Sequence, residues 1–352
     1  MDMGITLWVM DENLEVVRII STFQTLIWHS KWFLPGDFYL VCSDEYRELA
    51  AGANDPLKVR YLFRPDSRYV GRVDYTIFDN KMLHVRGRFL EGLIGFRWER
   101  LRLEYAGSVE TVIHDIVRNN CIDNRPIDHL IMGENLDRGE YITAELFGRN
   151  ISEYLYRDIA EVHSNSYAIH YDRDIQRLIF NVVWGLDRTQ EQTVNDWCLF
   201  GQQWNNVISE RYEASTDYPN FALVYSGDQP EDEMVEEVDV RQPGEELREI
   251  VVMARDIRRN QVADMQGALR ERGYRHLAEN GKFENIFADV RTLPNMPYSL
   301  GDIVSVRHER TGIVFYLRIT EEREILESGR IEKKITFGNR QGGIMSAIRG
   351  GM

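Results

Sequence analysis

Between residues 72 and 88 the chain alternates apolar and polar side chains on both sides of an Asp79-Asn80 pair. Val73, Tyr75 and Ile77 alternate with Asp74 and Thr76, then Leu83 and Val85 with His84 and Arg86. A period of two scatters apolar groups around a helix but gathers them on one side of a strand. The stretch is therefore predicted to be an antiparallel hairpin with one buried face, turning at Asp79-Asn80. Short β-branched or aromatic runs surround it at residues 5–9, 16–20, 23–28 and 38–42, separated by Asp-Glu-Asn, Ser-Thr and Pro-Gly breaks. Such punctuation marks successive strands, so the first hundred residues read as β.

The pattern then changes. Ser108 is placed to cap a helix on which Val109, Val112, Ile113, Ile116 and Val117 share one stripe. Asn150, with Glu153 three residues on, marks a second start, with Ile151, Tyr154, Leu155, Ile159 and Val162 along one face. Strands are expected at 166–171 and 178–184. A third helix is expected over 260–272, with Val262, Met265 and Leu269 inward and Gly273 as its C-terminal cap. Strands at 286–290, 303–306, 314–320 and 331–337 close the chain, before a glycine-rich tail read as flexible. Helices and strands do not alternate regularly, so the fold class is α+β and β-rich, not a parallel βαβ array.

With 352 residues the chain has room for two or three domains. Its 57 acidic against 42 basic residues leave a formal charge of −15, which disfavours a tight grip on nucleic-acid phosphates. Cys42, Cys121 and Cys198 are scattered and odd in number; a disulfide framework and a cysteine zinc site are excluded, and a reducing compartment is favoured. The first residues carry Asp2, Asp11, Glu12 and Glu15 without a basic segment, so no signal peptide is expected. No apolar run reaches the ~18 residues of a membrane span, so no membrane anchor is expected.

Catalytic signatures are missing: there is no HExxH, GxSxG or GxxxxGK[ST], and no GxGxxG after a strand. His163 and His170 are separated by helix-breaking Asn165 and Ser166, and Ser226 has no evident base. The acidic stretch 228–240 lacks the spacing and central glycine of a calcium loop, and reads as a solvated linker or hairpin tip. No catalytic residue, metal ligand or cofactor is expected. Arginines do stand out, but interleaved with acids, as in residues 97–104 and 255–259. Mixed runs of this kind suit ion pairs between elements or subunits, and Trp, Tyr and Arg are the usual anchors there. Arg97, Trp98, Arg100 and Arg102 are the candidate subunit interface.

A resemblance enters with residues 178–228. Val182-Val183-Trp184-Gly185-Leu186-Asp187-Arg188-Thr189, then Phe200-Gly201, Asn205-Asn206-Val207 and Asn220-Phe221-Ala222-Leu223-Val224 resemble the tail-hub, or baseplate-hub, family of siphoviruses. Residues 72–93, Leu300-Gly301-Asp302-Ile303-Val304, Arg318-Ile319-Thr320-Glu321 and Thr336-Phe337-Gly338 agree in order and spacing. The likeness spans about residues 5–340, and the acidic stretch 228–240 departs from it. Read physically, these motifs form turns: Asp187 and Thr189 accept backbone N–H bonds, Gly301-Asp302 starts a strand, and Phe337 closes a core that Gly338 lets the chain leave.

The resemblance implies a non-enzymatic virion component, assembled in the host cytoplasm: a homotrimeric ring at the distal end of the tail tube. In each chain two barrel-like domains would imitate six-fold symmetry. Implied partners are distal-tail or tail-tube ring proteins, tip or fibre proteins and the tape-measure protein, with DNA passing through the lumen. The expected divisions are a first hub domain (1–100), a peripheral α+β insert (101–165), a second hub domain (166–255), a helix with closing strands (256–340) and the tail (341–352). The alternatives are a tail-associated cell-wall hydrolase and a secreted carbohydrate-binding β protein, the latter disfavoured by the expected lack of a signal peptide and by the unpaired cysteines.

Overall fold

The computed structural model describes residues 5–55, 57–227, 234–255, 257, 264–281, 283–291, 296–327 and 329–338. The first part is mainly strand, with a 3-10 helix over Asp44–Ala50 leading into a short α-helix: β1 (Leu7–Met10), β2 (Val16–Ile20), β3 (Thr25–Lys31), β4 (Asp37–Ser43), α1 (Ala51–Asn54), β5 (Tyr61–Phe63), β6 (Val70–Asp79) and β7 (Met82–Phe89). The expected hairpin is β6–β7, but it turns one residue later than predicted. Asn80 and Lys81 both take positive φ (46° and 66°), giving the mirror-image turn whose twist suits antiparallel strands.

Its predicted buried face is corrected on β6. The register shifts between Val73 and Tyr75, so Tyr75 stands opposite Arg86 and Ile77 opposite His84. One extra residue swaps the two faces of a strand. Tyr75 and Ile77 are consequently exposed, while Leu83 and Val85 on β7 are buried as expected.

The middle of the chain forms β8 (Leu103–Ser108), α2 (Val109–Val117), β9 (Leu130–Met132), β10 (Tyr141–Leu146), α3 (Ile151–Tyr154), α4 (Glu161–His163), β11 (Asn165–Asp172) and β12 (Arg177–Trp184). Ser108 caps α2 by accepting from the Thr111 N–H, and Asn150 caps α3 by accepting from Glu153. A wide helical turn over Leu155–Ala160 joins α3 to α4. Next come β13 (Asp187–Arg188), β14 (Leu199–Phe200), β15 (Val207–Ser215), β16 (Phe221–Ser226), β17 (Val235–Asp239), β18 (Glu249–Ala254), α5 (Met265–Glu279), β19 (Phe283–Val290), β20 (Ile303–Arg307), β21 (Val314–Glu327) and β22 (Arg330–Gly338).

The third helix runs further than the sequence implied. Asp264 caps it by accepting from the Gly267 N–H, and Gly273 lies inside it instead of ending it. There a Cβ would crowd Val238 and Val224, so glycine lets the helix sit directly on the strands below. Met265 is partly buried and Leu269 fully buried, whereas the expected inward Val262 lies outside the described residues. So do Asp228, Glu231, Asp232 and Glu233, Asp256, Arg258 and Arg259, and most of the glycine-rich tail.

Fourteen strands make one sheet, running β15-β19-β22-β21-β3-β4-β7-β6-β5-β1-β2, with β13, β14 and β20 branching from β21. The antiparallel β3–β21 pairing, Thr25 to Lys31 against Glu327 to Glu321, joins the amino-terminal strands to the carboxy-terminal ones. Smaller sheets are β10–β8, β11–β12–β9 and β17–β16–β18.

The described residues pack into three hydrophobic cores. One core runs from Met10 and Trp32 through Val109, Ile159 and Phe180 to Phe337. Residues between 101 and 165, among them Val112, Ile116 and Leu155, contribute to this core. A second core lies among the amino-terminal strands, where Leu7, Trp28, Phe38 and Leu83 meet Leu326 of β21. The third is separate: Ala222, Val224, Val238 and Val252 pack against Leu269 and Leu277, so α5 belongs with β16–β18 in one small βα unit.

Candidate assembly interface

The motif residues converge on the parallel seam where β13 and β14 lie beside β20. Asp302, just before β20, is 3% exposed. Its two oxygens accept from the Leu186 N–H (2.8 Å), the Arg188 Nε (2.8 Å) and the Ser299 N–H (2.9 Å). Burying a carboxylate is tolerable only with such full satisfaction. Asp187 Oδ1 accepts from the Thr189 N–H at 2.9 Å, and Thr189 Oγ1 from the Glu191 N–H at 3.4 Å. Gly185 approaches so closely that a Cβ would overlap the Gly301 carbonyl. Gly301, at φ +94°, lies against the Trp32 ring with no room for a side chain.

Further along the seam, Asn206 Oδ1 accepts from the Gly201 N–H (3.0 Å) and its Nδ2 donates to the Leu199 carbonyl (2.7 Å). Asn205 adopts a left-handed conformation (φ 57°) and its Oδ1 accepts from Arg291 at 2.9 Å. Phe337, fully buried, packs its ring 4.8 Å from Phe200. Gly338 lies over Asn285, where a Cβ would clash. Nine of the ten motif residues thus lie on or beside this turn-rich seam, and Gly338 lies apart, against β19.

Sequence reading missed how the adjoining loop is built. Gln192 Oε1 accepts from the Val194 and Asn195 N–H groups, both at 2.7 Å, and its Nε2 donates to the Thr189 and Asn195 carbonyls. Glutamine carries no turn propensity that would have marked it. The loop presents Val194, 89% exposed, and Trp197 to solvent.

The candidate interface arginines differ among themselves. Arg97 is committed within the chain, donating to the Arg125 carbonyl (3.0 Å) and the Pro126 carbonyl (3.1 Å). Arg102 pairs with Glu145 at 2.5 Å and lies over the Phe147 ring. Arg100 and Trp98 project into solvent. His163 and His170 sit on separate elements, His163 bonded to Glu140 and His170 to Asn181. Ser226 ends β16 and fastens it to Met234, from whose N–H its hydroxyl accepts at 3.0 Å. Cys42, Cys121 and Cys198 are buried free thiols, each pushed up to about 12 by burial. Among the described residues no group of three or more His, Cys, Asp or Glu gathers as a metal site, and no helix is long and apolar enough to cross a membrane.

The β3–β21 seam is ionic. Burial opposes charge on His29, yet its bonds to Asp37 and Glu321 prevail and raise its pKa. Asp37 is likewise opposed by burial but is drawn down to about 2 by His29 and by Lys31, 2.6 Å away. Beside them Arg64 meets Glu324 at 2.5 Å, and Lys333 binds Glu322.

The fold is that of phage tail proteins. Similar solved structures include the tail protein from Neisseria meningitidis MC58 (15% identity, TM-score 0.59, covering 95% of this chain and 96% of that one). The prophage MuSo2 43 kDa tail protein from Shewanella oneidensis is similar at 11% identity and TM-score 0.57, covering 94% and 98%. Prophage tail protein gp18 from Listeria monocytogenes EGD-e is similar at 12% identity and TM-score 0.57, covering 98% and 97%. No curated protein matches the chain in sequence. The family described as Siphovirus ReqiPepy6 Gp37-like protein matches residues 6–339. With nearly the whole chain matched, from before β1 to the end of β22, the protein belongs to the Siphovirus ReqiPepy6 Gp37-like family of tail proteins.

Proposed function

We propose that the protein is a non-catalytic tail hub: three copies form a ring at the distal end of the tail tube, held between tube or distal-tail ring proteins and tip or fibre proteins. The observation that carries this reading is the β3–β21 pairing, which sets two strand-rich halves side by side in one sheet. Three chains with two such halves each present six comparable units around a ring. The tape-measure protein would end at this ring, and DNA would pass through it.

Charge supports passage. Three chains carry a formal 3 × (−15) = −45. Any share of it lining the lumen repels phosphates within the ~8 Å reach of physiological salt. The motif residues act by folding the β13–β14–β20 seam, and no step of this function calls on a nucleophile or metal. Light scattering on the purified protein tests the reading, with electron microscopy of the particle. A three-fold ring with an acidic channel is expected. A protein that stays monomeric, or one that cleaves host cell wall, would overturn it.

A further inference from the structure

The small βα unit covers only one side of its sheet. Leu269 and Leu277 of α5 pack on Ala222, Val224, Val238 and Val252. Strand alternation sends their neighbours outward. There Tyr225 lies between Val235 and Met253, Leu223 between Glu237 and Val251, and Phe221 between Asp239 and Glu249. Val235, Val251 and Met253 are about half exposed (46, 58 and 48%). A one-sided sheet normally turns polar residues to water, so an outward apolar row marks a surface meant to be covered. Its frame is acidic. Asp239 is matched by Arg241, but among the described residues Glu237 and Glu249 make no ion pair.

The same chain carries a surface of opposite character. The Glu99 N–H donates to the Arg149 carbonyl and the Gly148 N–H to the Glu99 carbonyl, which lays residues 98–102 along 146–150. Trp98, Leu101 and Phe147 stand out from this pair at 54, 63 and 56% exposure. Phe96 lies two residues before Trp98, and the Arg72 and Arg88 guanidinium groups, both paired with Asp74, stand 4.9 and 5.5 Å from its ring centre. Arg102, paired with Glu145, lies 5.1 Å from the Phe147 ring centre, and Arg100, free in solvent, carries the unmatched positive charge of this surface. Aromatic anchors framed by arginine are the usual centre of a protein interface.

The two patches cannot meet within one molecule. The cavity of about 460 Å³ beside Arg102 and Phe147 is walled on its other side by Arg272, Arg275 and His276 of α5. The helix thus faces the body, with the outer face of its sheet turned away. We infer that the acidic, apolar face of β17–β16–β18 on one copy of this chain docks on the Phe96–Trp98–Leu101–Phe147 surface of the next, head to tail. Unlike patches joined in this way make the heterologous contact that a closed three-fold ring requires. The inference rests on the ring reading and names the surfaces that close it.

Charge reversal with rescue is the test, read as mass against concentration by light scattering. Glu237→Arg with Glu249→Arg, and separately Arg100→Glu, should each weaken association by roughly tenfold or more through like-charge contact. A chain carrying all three changes should recover association, because the pair is restored with its signs exchanged. The substituted residues are exposed, so an unchanged thermal melt is expected; if the arginine variants fail to fold, Val251→Ser with Met253→Ser takes their place and should weaken association likewise. Wild-type rings with unaffected variants, or absence of rescue in the triple variant, would overturn the inference and leave the ring reading intact, with another surface such as the β2 edge closing it. A wild-type chain that is monomeric throughout would bring down the ring reading itself.

Discussion

Asp302 and Gly301 show how much of the fold hangs on two adjacent residues. Removing the Asp302 carboxylate leaves the Arg188 guanidinium, 17% exposed, without its partner and two backbone N–H groups without an acceptor. Asp302→Ala is therefore expected to cost ~3–5 kcal/mol in urea unfolding, the range for breaking a buried pair by deleting one side. Gly301→Ala combines a left-handed backbone with a collision against Trp32, whereas Gly244, also at positive φ, faces open space. Gly244→Ala should accordingly be much milder in the same assay.

Glu91 offers a pH signature at the same scale. Burial pushes its carboxyl up to about 7, against the pull of the backbone N–H bonds, including that of Ile169, and of Arg68. The folded chain then keeps a proton that the unfolded chain releases near 4.5. Folding takes up that proton in between, so this contribution to stability is whole below about pH 4.5, declines as pH rises and levels off above about 7. The full difference is about 3 kcal/mol. Glu91→Gln should be more stable than wild type near pH 8 and no more stable near pH 5, as urea midpoints at the two values will read. His29, raised by its carboxylate partners, also loses its contribution as pH rises, so the comparison must be between variant and wild type and not along one curve.

At the scale of elements, α5 sits on its strands only because Gly273 has no side chain. Gly273→Val would drive two methyls into Val224 and Val238 and lift the helix. Since the small unit has its own core, hydrogen exchange should rise across β16–β18 and α5 while the main sheet stays protected. Uniform loosening would show that the two cores are one cooperative unit. This glycine also marks where sequence reading went astray. A glycine near the end of a helical stripe resembles a cap, and nothing local distinguishes it from one pressed against a sheet. Helix starts were legible because Ser108 and Asn150 act on residues three positions away. The face swap on β6 was not, because a bulge is set by the partner strand. The seam of Asp187, Asn206 and Asp302 could be read as turns one by one. Their convergence depends on parallel pairing between strands over a hundred residues apart, which no local pattern encodes.

For the whole molecule, two electrostatic effects oppose each other. A net charge of −15 per chain repels any second copy at long range, whereas the acidic and arginine-framed patches attract at contact. Their reach differs. Near 0.01 M salt the screening length is about 30 Å, long enough for the total charges to be felt across neighbouring chains; near 0.15 M it is about 8 Å, which leaves mainly the local pairs. Raising salt over that range should therefore tighten association, because repulsion is removed first. Near 1 M the length falls to about 3 Å, the contact pairs are screened in turn, and association should weaken to what the apolar rows sustain. Light-scattering mass at fixed protein concentration across the three salts should pass through a maximum. A steady fall from the lowest salt would mean that contact pairs outweigh the total charge throughout, and a steady rise would mean that apolar burial alone holds the copies together.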